Sequence, residues 1–355
     1  MATQDLTVMG AGVFGLAIAF EAARRGMRVR VLERERVGAG ASGGLVGALA
    51  PHTPENWNDK KAFQLDSLLM AGDFWRAVEA AGGVGSTYLR SGRLQPLADQ
   101  AAVDRARERA EGAAQLWQGK AEWIVRPATG AAWEPVSPSG WIVEDTLTAR
   151  MAPRRAGAAL AAAIRALGGV IETGETPGPG AGPVVWATGA AGLSALSADL
   201  GRDVGGPVKG QAALLALPAD AAIDPTGLVQ IFADAVHVVP HADGTVAIGS
   251  TSERDFDDPA ATDAQLDAVI ARAIAAVPAL ARATIVDRWA GLRPRARSRA
   301  PMLGQWPGRA GQFIANGGFK IGFGMAPKVA QVMADLVLEG RDAIPDGFRV
   351  EASLR

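Results

Sequence analysis

The chain has 355 residues and a net charge of −1, too long for one ordinary domain and too close to neutral for a role on nucleic acid or an anionic membrane. With no cysteine it has no disulfide framework, thiolate zinc site, cysteine nucleophile or sulfur-linked cofactor, and with three histidines no metal centre is expected. No segment offers eighteen uninterrupted apolar residues and no basic patch precedes the first apolar run, so a cytoplasmic chain without an integral membrane segment is expected.

That first apolar run, VMGAGVFGLAIAF at residues 8–20, is broken by glycines, and its thirteen residues are too few to cross a bilayer. It reads as a strand over residues 6–9, the pattern G-x-G-x-x-G at Gly10, Gly12 and Gly15, and a helix over residues 16–25 stopped by Gly26. Met27, Val29 and Val31 then alternate into a second strand ending at Glu33, eighteen residues after Gly15. Glycines at those positions let the backbone approach a pyrophosphate at the helix N-terminus, and a carboxylate after the second strand accepts ribose hydroxyls. A bound dinucleotide is therefore expected.

The next stretch, GAGASGGLVGALAPH at residues 38–52, is too glycine-rich for a regular element. Its amides and Ser42 suit the edge of a bulky planar ligand, although a flexible surface loop has the same composition. An amphipathic helix is expected over residues 62–81, a strand over 88–97 and a charged helix over 101–116. Four of the nine tryptophans fall in residues 117–141, as core and turn packing or as an aromatic lid over a substrate. A helix over residues 154–167 and a buried strand in GPVVWATGA, residues 182–190, return to α/β alternation; the small residues after that strand mark where a parallel sheet lays its ligands. Residues 208–250 switch to period two, the pattern of antiparallel sheet, followed by a helix over 263–277 and a strand over 283–290. Finally GQFIANGGFKIGFGMAP leads into a helix with Pro327 in its first turn, closed by Gly340.

A nicotinamide enzyme has no use for a glycine loop and helix at its C-terminal end. A flavin enzyme does, because reduction puts negative charge near N1 and the C2 carbonyl, where a helix N-terminus is stabilising. Lys320 in that loop adds a full charge, or else is an ordinary solvated lysine. The glycine turn with Glu33, ASGGLVGALAPH, VKGQ at residues 208–211, VVPHADGTVAIGSTSE from Val238, GLRPRARSRAPMLG from Gly291 and NGGFKIGFGMAP from Asn316 together resemble the D-amino acid oxidase family of flavoproteins, nearest to glycine oxidase and the bacterial D-amino acid dehydrogenases.

The resemblance implies non-covalent FAD and a doubly wound, Rossmann-like α/β fold of the p-hydroxybenzoate hydroxylase or glutathione reductase type, with an inserted, mainly antiparallel substrate domain. It places residues 1–83, 142–206 and 288–355 in the FAD-binding part and 84–141 and 207–287 in the substrate part. It also implies oxidation of an amine or amino acid to an imine that water hydrolyses, with hydride passing from the α-carbon to flavin N5 and with oxygen, a quinone or another protein taking the electrons. A homo-oligomer is possible on the same grounds. The residues expected around FAD are Gly10, Gly12, Val13, Phe14, Gly15, Glu33, Arg34, Ala41, Ser42, Gly43, Gly44, Ala187, Thr188, Gly189, Gly318, Phe319, Lys320, Ile321 and Gly322.

By the match of GLRP, Arg293 would hold a substrate carboxylate, a task suited to a planar guanidinium. Lys320 falls where relatives carry a basic residue, and His237 stands where the family often has a tyrosine facing the substrate. Lys209 and His241 replace family arginines and are expected to be structural or solvated. Arg293, Arg295, Arg297 and Arg299 alternate, giving the last three the look of a solvated edge or of a site for an anionic substrate tail. The competing function is a flavin-binding subunit that has lost catalysis and serves in a larger dehydrogenase.

Overall fold

The computed structural model describes residues 5–174, 178, 180, 182–220 and 227–355; residues 221–226 of the alternating stretch and residues 1–4 lie outside them. In chain order the described residues form β1 (Asp5–Met9), α1 (Val13–Arg24), β2 (Arg28–Glu33), β3 (Gly47–Leu49), α2 (Asp59–Gly82), β4 (Arg93–Pro96), α3 (Gln100–Trp117) and β5 (Trp123–Pro127). There follow β6 (Trp141–Asp145), β7 (Ala149–Met151), α4 (Pro153–Ala166), β8 (Val170–Thr173), β9 (Val184–Trp186), α5 (Gly189–Leu200), β10 (Gly205–Ala216), β11 (Gln230–Ala233) and β12 (Val236–Pro240). The last are β13 (Thr245–Gly249), α6 (Ala264–Ala276), β14 (Thr284–Ala296), β15 (Met302–Gln305), β16 (Gln312–Asn316) and α7 (Gly322–Glu339).

One sheet runs β15-β16-β9-β1-β2-β8, parallel except for β15. β1 belongs in its middle because Val8 pairs with Val31 on one side and Val185 on the other, all three fully buried. α1 is buried from Val13 to Ala23, and its many small side chains let it pack against both α4 and α7. Parallel strands put their carboxyl ends along one edge. That edge collects the turn at residues 10–12 after β1, Glu33 at the end of β2, the turn at 187–189 after β9 and the loop at 317–321 after β16.

The second sheet runs β14-β10-β13-β12-β11-β4-β6-β5, antiparallel except where β11 meets β4. Residues 142–145 and 288–296, grouped from the sequence with the FAD-binding part, pair in this sheet. β6 lies between β4 and β5, and β14 continues to Ala296 because the twelve residues of β10 give it a ladder partner of nearly equal length.

Three further expectations change. The strand expected over 88–97 begins only at Arg93, because Gly92 turns the chain at φ +79° beside Asp145. Pro327 sits inside α7 rather than in its first turn: the helical ladder already starts at Met325 N–H donating to Ile321 O at 3.0 Å. The tryptophans are packing and not a lid. Trp117 and Trp123 meet edge to face at 6.3 Å in the main core, Trp133 donates to Val229 O at 2.9 Å, and Trp141 lies under the Arg107 guanidinium at 4.9 Å. Among the described residues no helix is long and apolar enough to cross a membrane.

Candidate active site

The glycine turn is made by backbone that tolerates no side chain at two of its three glycines. Gly10 has φ +102° and a methyl there would lie 2.5 Å from Ala187 O; at Gly15 it would lie 2.0 Å from Gly10 O. Gly12, the N-cap of α1, meets only Ser42 Oγ at 3.3 Å, so its open side is what the motif keeps clear. Val13 N–H donates to Ser42 Oγ at 2.9 Å and Ala11 N–H to Glu33 Oε2 at 2.8 Å, while Glu33 Oε1 accepts from Glu35 N–H at 3.0 Å. Each carboxylate oxygen has two lone-pair sites, so Glu33 retains capacity for further donors. Beside the turn lies a cavity of ≈ 150 Å³ whose wall includes Ala11, Val13, Ser42, Gly43, Arg154 and Phe323.

The other loops close on this turn. Ala41–Gly43 form a single 3-10 turn, and a methyl on Gly44 would stand 3.3 Å from the Trp289 ring. Gly318 packs on Phe14, with a methyl there only 2.9 Å from the ring, and Gly322 faces Val13. Asn316 ties two turns together: its amide donates to Gly189 O at 2.9 Å and accepts Gly317 N–H at 2.8 Å, which holds residues 187–189 against the start of the last loop. Neither α1 nor α7 has a cap from its own N-cap side chain or an acid in its first turn; at α1 Ser42 Oγ takes the Val13 N–H, and among the described residues the remaining first-turn N–H groups are without a side-chain acceptor. Of the residues expected around FAD, Arg34 has a side chain that is 78% exposed and pairs with Glu35 at 3.0 Å. Phe14 is buried under Gly318 as packing.

The second sheet presents a face to these loops. Phe232, His237, Gly249, Ala212 and Trp289 stand side by side across five strands. Small residues at the centre keep the face flat; a methyl on Gly249 would touch both Val46 and Ala212. Arg293 lies on β14 with its guanidinium over Gly210, where a Cβ would fall 1.8 Å from Nη1. It is 8% exposed and donates from Nη1 to Thr251 O at 3.1 Å, yet among the described residues it has no carboxylate partner. Burial pushes this guanidinium down to about 10, with the charge of Glu253 pulling the other way. Glu253 itself is taken: it accepts from Thr251 Oγ1 and, at 3.0 Å, from Gln211 Nε2, and stands 3.6 Å from Lys209 Nζ.

His237 rests against Phe232 at 4.6 Å between ring centroids, and its buried Nδ1 has no hydrogen-bond partner among the described residues. Burial first, then Arg93, Lys320 and Arg293, push its pKa down to about 3, so the imidazole is neutral at any working pH. Lys320 is an exposed residue whose Nζ lies 5.6 Å from the Phe319 ring centroid; its pKa is lowered by burial of the ammonium, then by Arg293 and Arg295.

The four-arginine alternation breaks after the second. Arg295 lies 5.6 Å over Phe319, Arg297 is exposed and reaches toward Asp203 O, and Arg299 is exposed in a turn at φ +61°. Lys209 and His241, expected to be structural or solvated, are both buried. Gly210, Thr251, Trp289 and Asn316 were not singled out from the sequence. Gly210, Thr251 and Asn316 lie inside the VKGQ, VVPHADGTVAIGSTSE and NGGF motifs, so their signal was present; Trp289 acquires a place only through strand register.

Comparison with known proteins agrees with this geometry. The chain is 28% identical to glycine oxidase of Geobacillus kaustophilus over 94% of this chain and 92% of that protein. It is 30% identical to the putative thiamine biosynthesis oxidoreductase ThiO of Rhizobium etli over 94% and 96%. In fold it matches iminodiacetate oxidase of Chelativorans sp. BNC1 with a TM-score of 0.83 at 22% identity, covering 97% of this chain and 98% of that one. The family model for FAD-dependent oxidoreductases of the D-amino acid oxidase type matches residues 5–336, so the chain belongs to that family and FAD is its cofactor.

Proposed function

We propose that the protein oxidises the carbon–nitrogen bond of a small amino acid whose carboxylate is held by Arg293. The observation that carries this reading is the state of that guanidinium: buried, opposed by a glycine and joined to a single carbonyl. An uncompensated buried cation costs several kcal/mol in general, and a substrate carboxylate offsets that cost with a bidentate pair. Gly249 and Ala212 put no long side chain on the face of the sheet that carries His237 and Trp289. A catalytically silent flavin subunit has no use for such a clamp.

The glycine turn fits FAD. Gly12 and the N-terminus of α1 would take the pyrophosphate, Glu33 the ribose, Ser42, Gly43, Gly44 and residues 187–189 the body of the cofactor, and the start of α7 with Lys320 the pyrimidine side of the flavin. FAD, when bound, supplies the two-electron acceptor. The chain's own work is orientation: Arg293 fixes the carboxylate, and the neutral His237 adds no charge that would repel the amine end. His237 is too weak a base to take a proton near neutrality, so the pH dependence of kcat/KM is expected to follow deprotonation of the substrate amine.

The test is anaerobic mixing of purified yellow protein with a panel of amines and D- and L-amino acids. Bleaching by amino acids, and weaker or no bleaching by the matching decarboxylated amines, is the expected result. Admission of air afterwards shows whether oxygen accepts the electrons. Equal bleaching by acids and amines sinks the carboxylate reading, and no bleaching by any compound favours the silent subunit.

A further inference from the structure

The cations of this site outnumber what one carboxylate requires. A cavity of ≈ 260 Å³ lies between the start of α2, the end of β14 and the loop before α7, walled in part by His52, Lys60, Arg295, Arg299 and Phe319, with no acidic residue on its wall. It shares no lining residue with the cavity at the glycine turn, so it is not the dinucleotide end of the site.

It does adjoin the end where Arg293 sits. Arg295 follows Arg293 by two positions on β14 and so projects from the same face of the strand. Lys320 Nζ and Arg295 Cζ each lie 5.6 Å from the centroid of the Phe319 ring, and Lys320 feels both Arg293 and Arg295. A line of positive charge thus runs from Arg293 through Lys320 and Arg295 to Lys60 and Arg299 at the cavity. Lys60 donates to the Arg299 carbonyl, which pins the two sides of the wall together.

Many guanidinium groups elsewhere are neutralised. Arg25, Arg30, Arg109, Arg126, Arg154, Arg288 and Arg341 each meet a carboxylate within 3.0 Å. Among the described residues, Arg293, Arg295, Arg299, Lys60 and Lys320 meet none. Three cations on one concave wall, Lys60, Arg295 and Arg299, with Lys320 beside Phe319 at its edge and Arg293 two positions along β14, raise the local concentration of anions and cost stability through mutual repulsion; binding an anion there relieves that repulsion.

Resting on the amino-acid reading above, we propose that the substrate carries a second anionic group, and that the cavity of Arg295, Arg299 and Lys60 receives it while Arg293 holds the α-carboxylate. The ligand class is a small dianion with an amine near one end. The site thereby selects acidic amino acids over neutral ones of the same length.

The experiment uses the holoenzyme and reads perturbation of the flavin absorbance on titration with acetate, malonate and succinate, in wild type and in Arg295→Gln, Arg299→Gln, Lys60→Gln and Arg293→Ala. Wild type is expected to bind the better dicarboxylate at least tenfold more tightly than acetate. Each of the three Gln variants is expected to cut that ratio by about three- to tenfold, with flavin content unchanged as the check on folding; three substitutions on separate elements guard against one that misfolds. The inference is overturned if wild type shows no dicarboxylate preference, or if the variants weaken acetate and dicarboxylate equally, which would mean general attraction only. The underlying reading fails separately: if Arg293→Ala leaves acetate binding unchanged, Arg293 holds no carboxylate, whatever the dicarboxylate ratio does.

Discussion

The glycine turn, proposed as the dinucleotide end of the site, is built within the first 33 residues almost wholly from backbone, whereas the sheet face proposed as the substrate end takes Phe232, His237, Gly249, Ala212 and Trp289 from five different strands. In the first, three glycines, a helix N-terminus and one carboxylate are placed by local chain geometry, so a side-chain change acts through steric exclusion. In the second, single side chains act through charge and hydrogen bonding on a sheet that many other residues hold rigid. The two ends should therefore fail differently: the first by losing the cofactor, the second by losing discrimination with the cofactor still bound.

The largest effect expected is at Gly12. Because only Ser42 Oγ lies within reach of a methyl there, Gly12→Val leaves the turn able to form but puts a branched side chain where the pyrophosphate must approach. The purified variant should be folded by circular dichroism, colourless and inactive. Gly15→Val is the contrast: its Cβ falls 2.0 Å from a backbone carbonyl, so this variant should lose fold as well as colour. A yellow Gly12→Val with normal activity would remove the turn from the cofactor site.

Next in size is Arg293→Ala. Stranding a desolvated carboxylate costs about 3–5 kcal/mol, or roughly two to four decades in kcat/KM, with flavin content unchanged. Arg293→Lys should restore only part, since an ammonium cannot match the planar fork. The wild-type preference for an amino acid over its decarboxylated amine should collapse in the alanine variant. Equal loss for both compounds would show that Arg293 supports the sheet rather than reads a carboxylate.

This contrast also explains what was legible in the sequence. The glycine turn, Glu33 and Ser42 could be read because their spacing alone fixes their geometry, and Arg293 and Lys320 came through motifs in a resemblance. Residues 142–145 and 288–296 were grouped with the FAD-binding part, and their place in the second sheet could not be read because an apolar strand does not say which sheet it joins; only its pairing with β10 or with β4 and β5 does. Trp289 was invisible for the same reason.

A third prediction concerns His237 and pH. Its folded pKa of about 3 lies below the unfolded value of 6.5, so the unfolded chain binds the proton first. The neutral imidazole is therefore fully accommodated above pH 6.5, and stability is lost as pH falls from there toward 3. The slope is at most about 1.4 kcal/mol per pH unit, giving a loss of roughly 2–3 kcal/mol between pH 6.5 and 4.5. Thermal melts of wild type and His237→Phe across that range should diverge, the variant lacking this component of the acid-side decline. Parallel curves would mean that the imidazole is more hydrated than its burial indicates.

The smallest effect expected is at Lys320, where the two ends of the site meet. A cation beside the part of the flavin that becomes anionic on reduction stabilises the reduced form, and an exposed residue does so through partly screened charge. Lys320→Met should therefore lower the midpoint potential by on the order of 30 mV, the two-electron equivalent of about 1.4 kcal/mol, while Lys320→Arg keeps it. The difference between wild type and Lys320→Met should shrink in 1 M salt, unlike the loss in Arg293→Ala, whose guanidinium is buried. Burial, Arg293 and Arg295 all lower the pKa of Lys320, so removing Arg293 should raise it and carry the cationic form to higher pH. In Arg293→Ala, the pH at which the potential loses its lysine-dependent component should accordingly move up. A potential that is the same in wild type and Lys320→Met at low salt, with the same rate of reoxidation, would place Lys320 in solvent and leave the start of α7 as the sole positive end beside the ring.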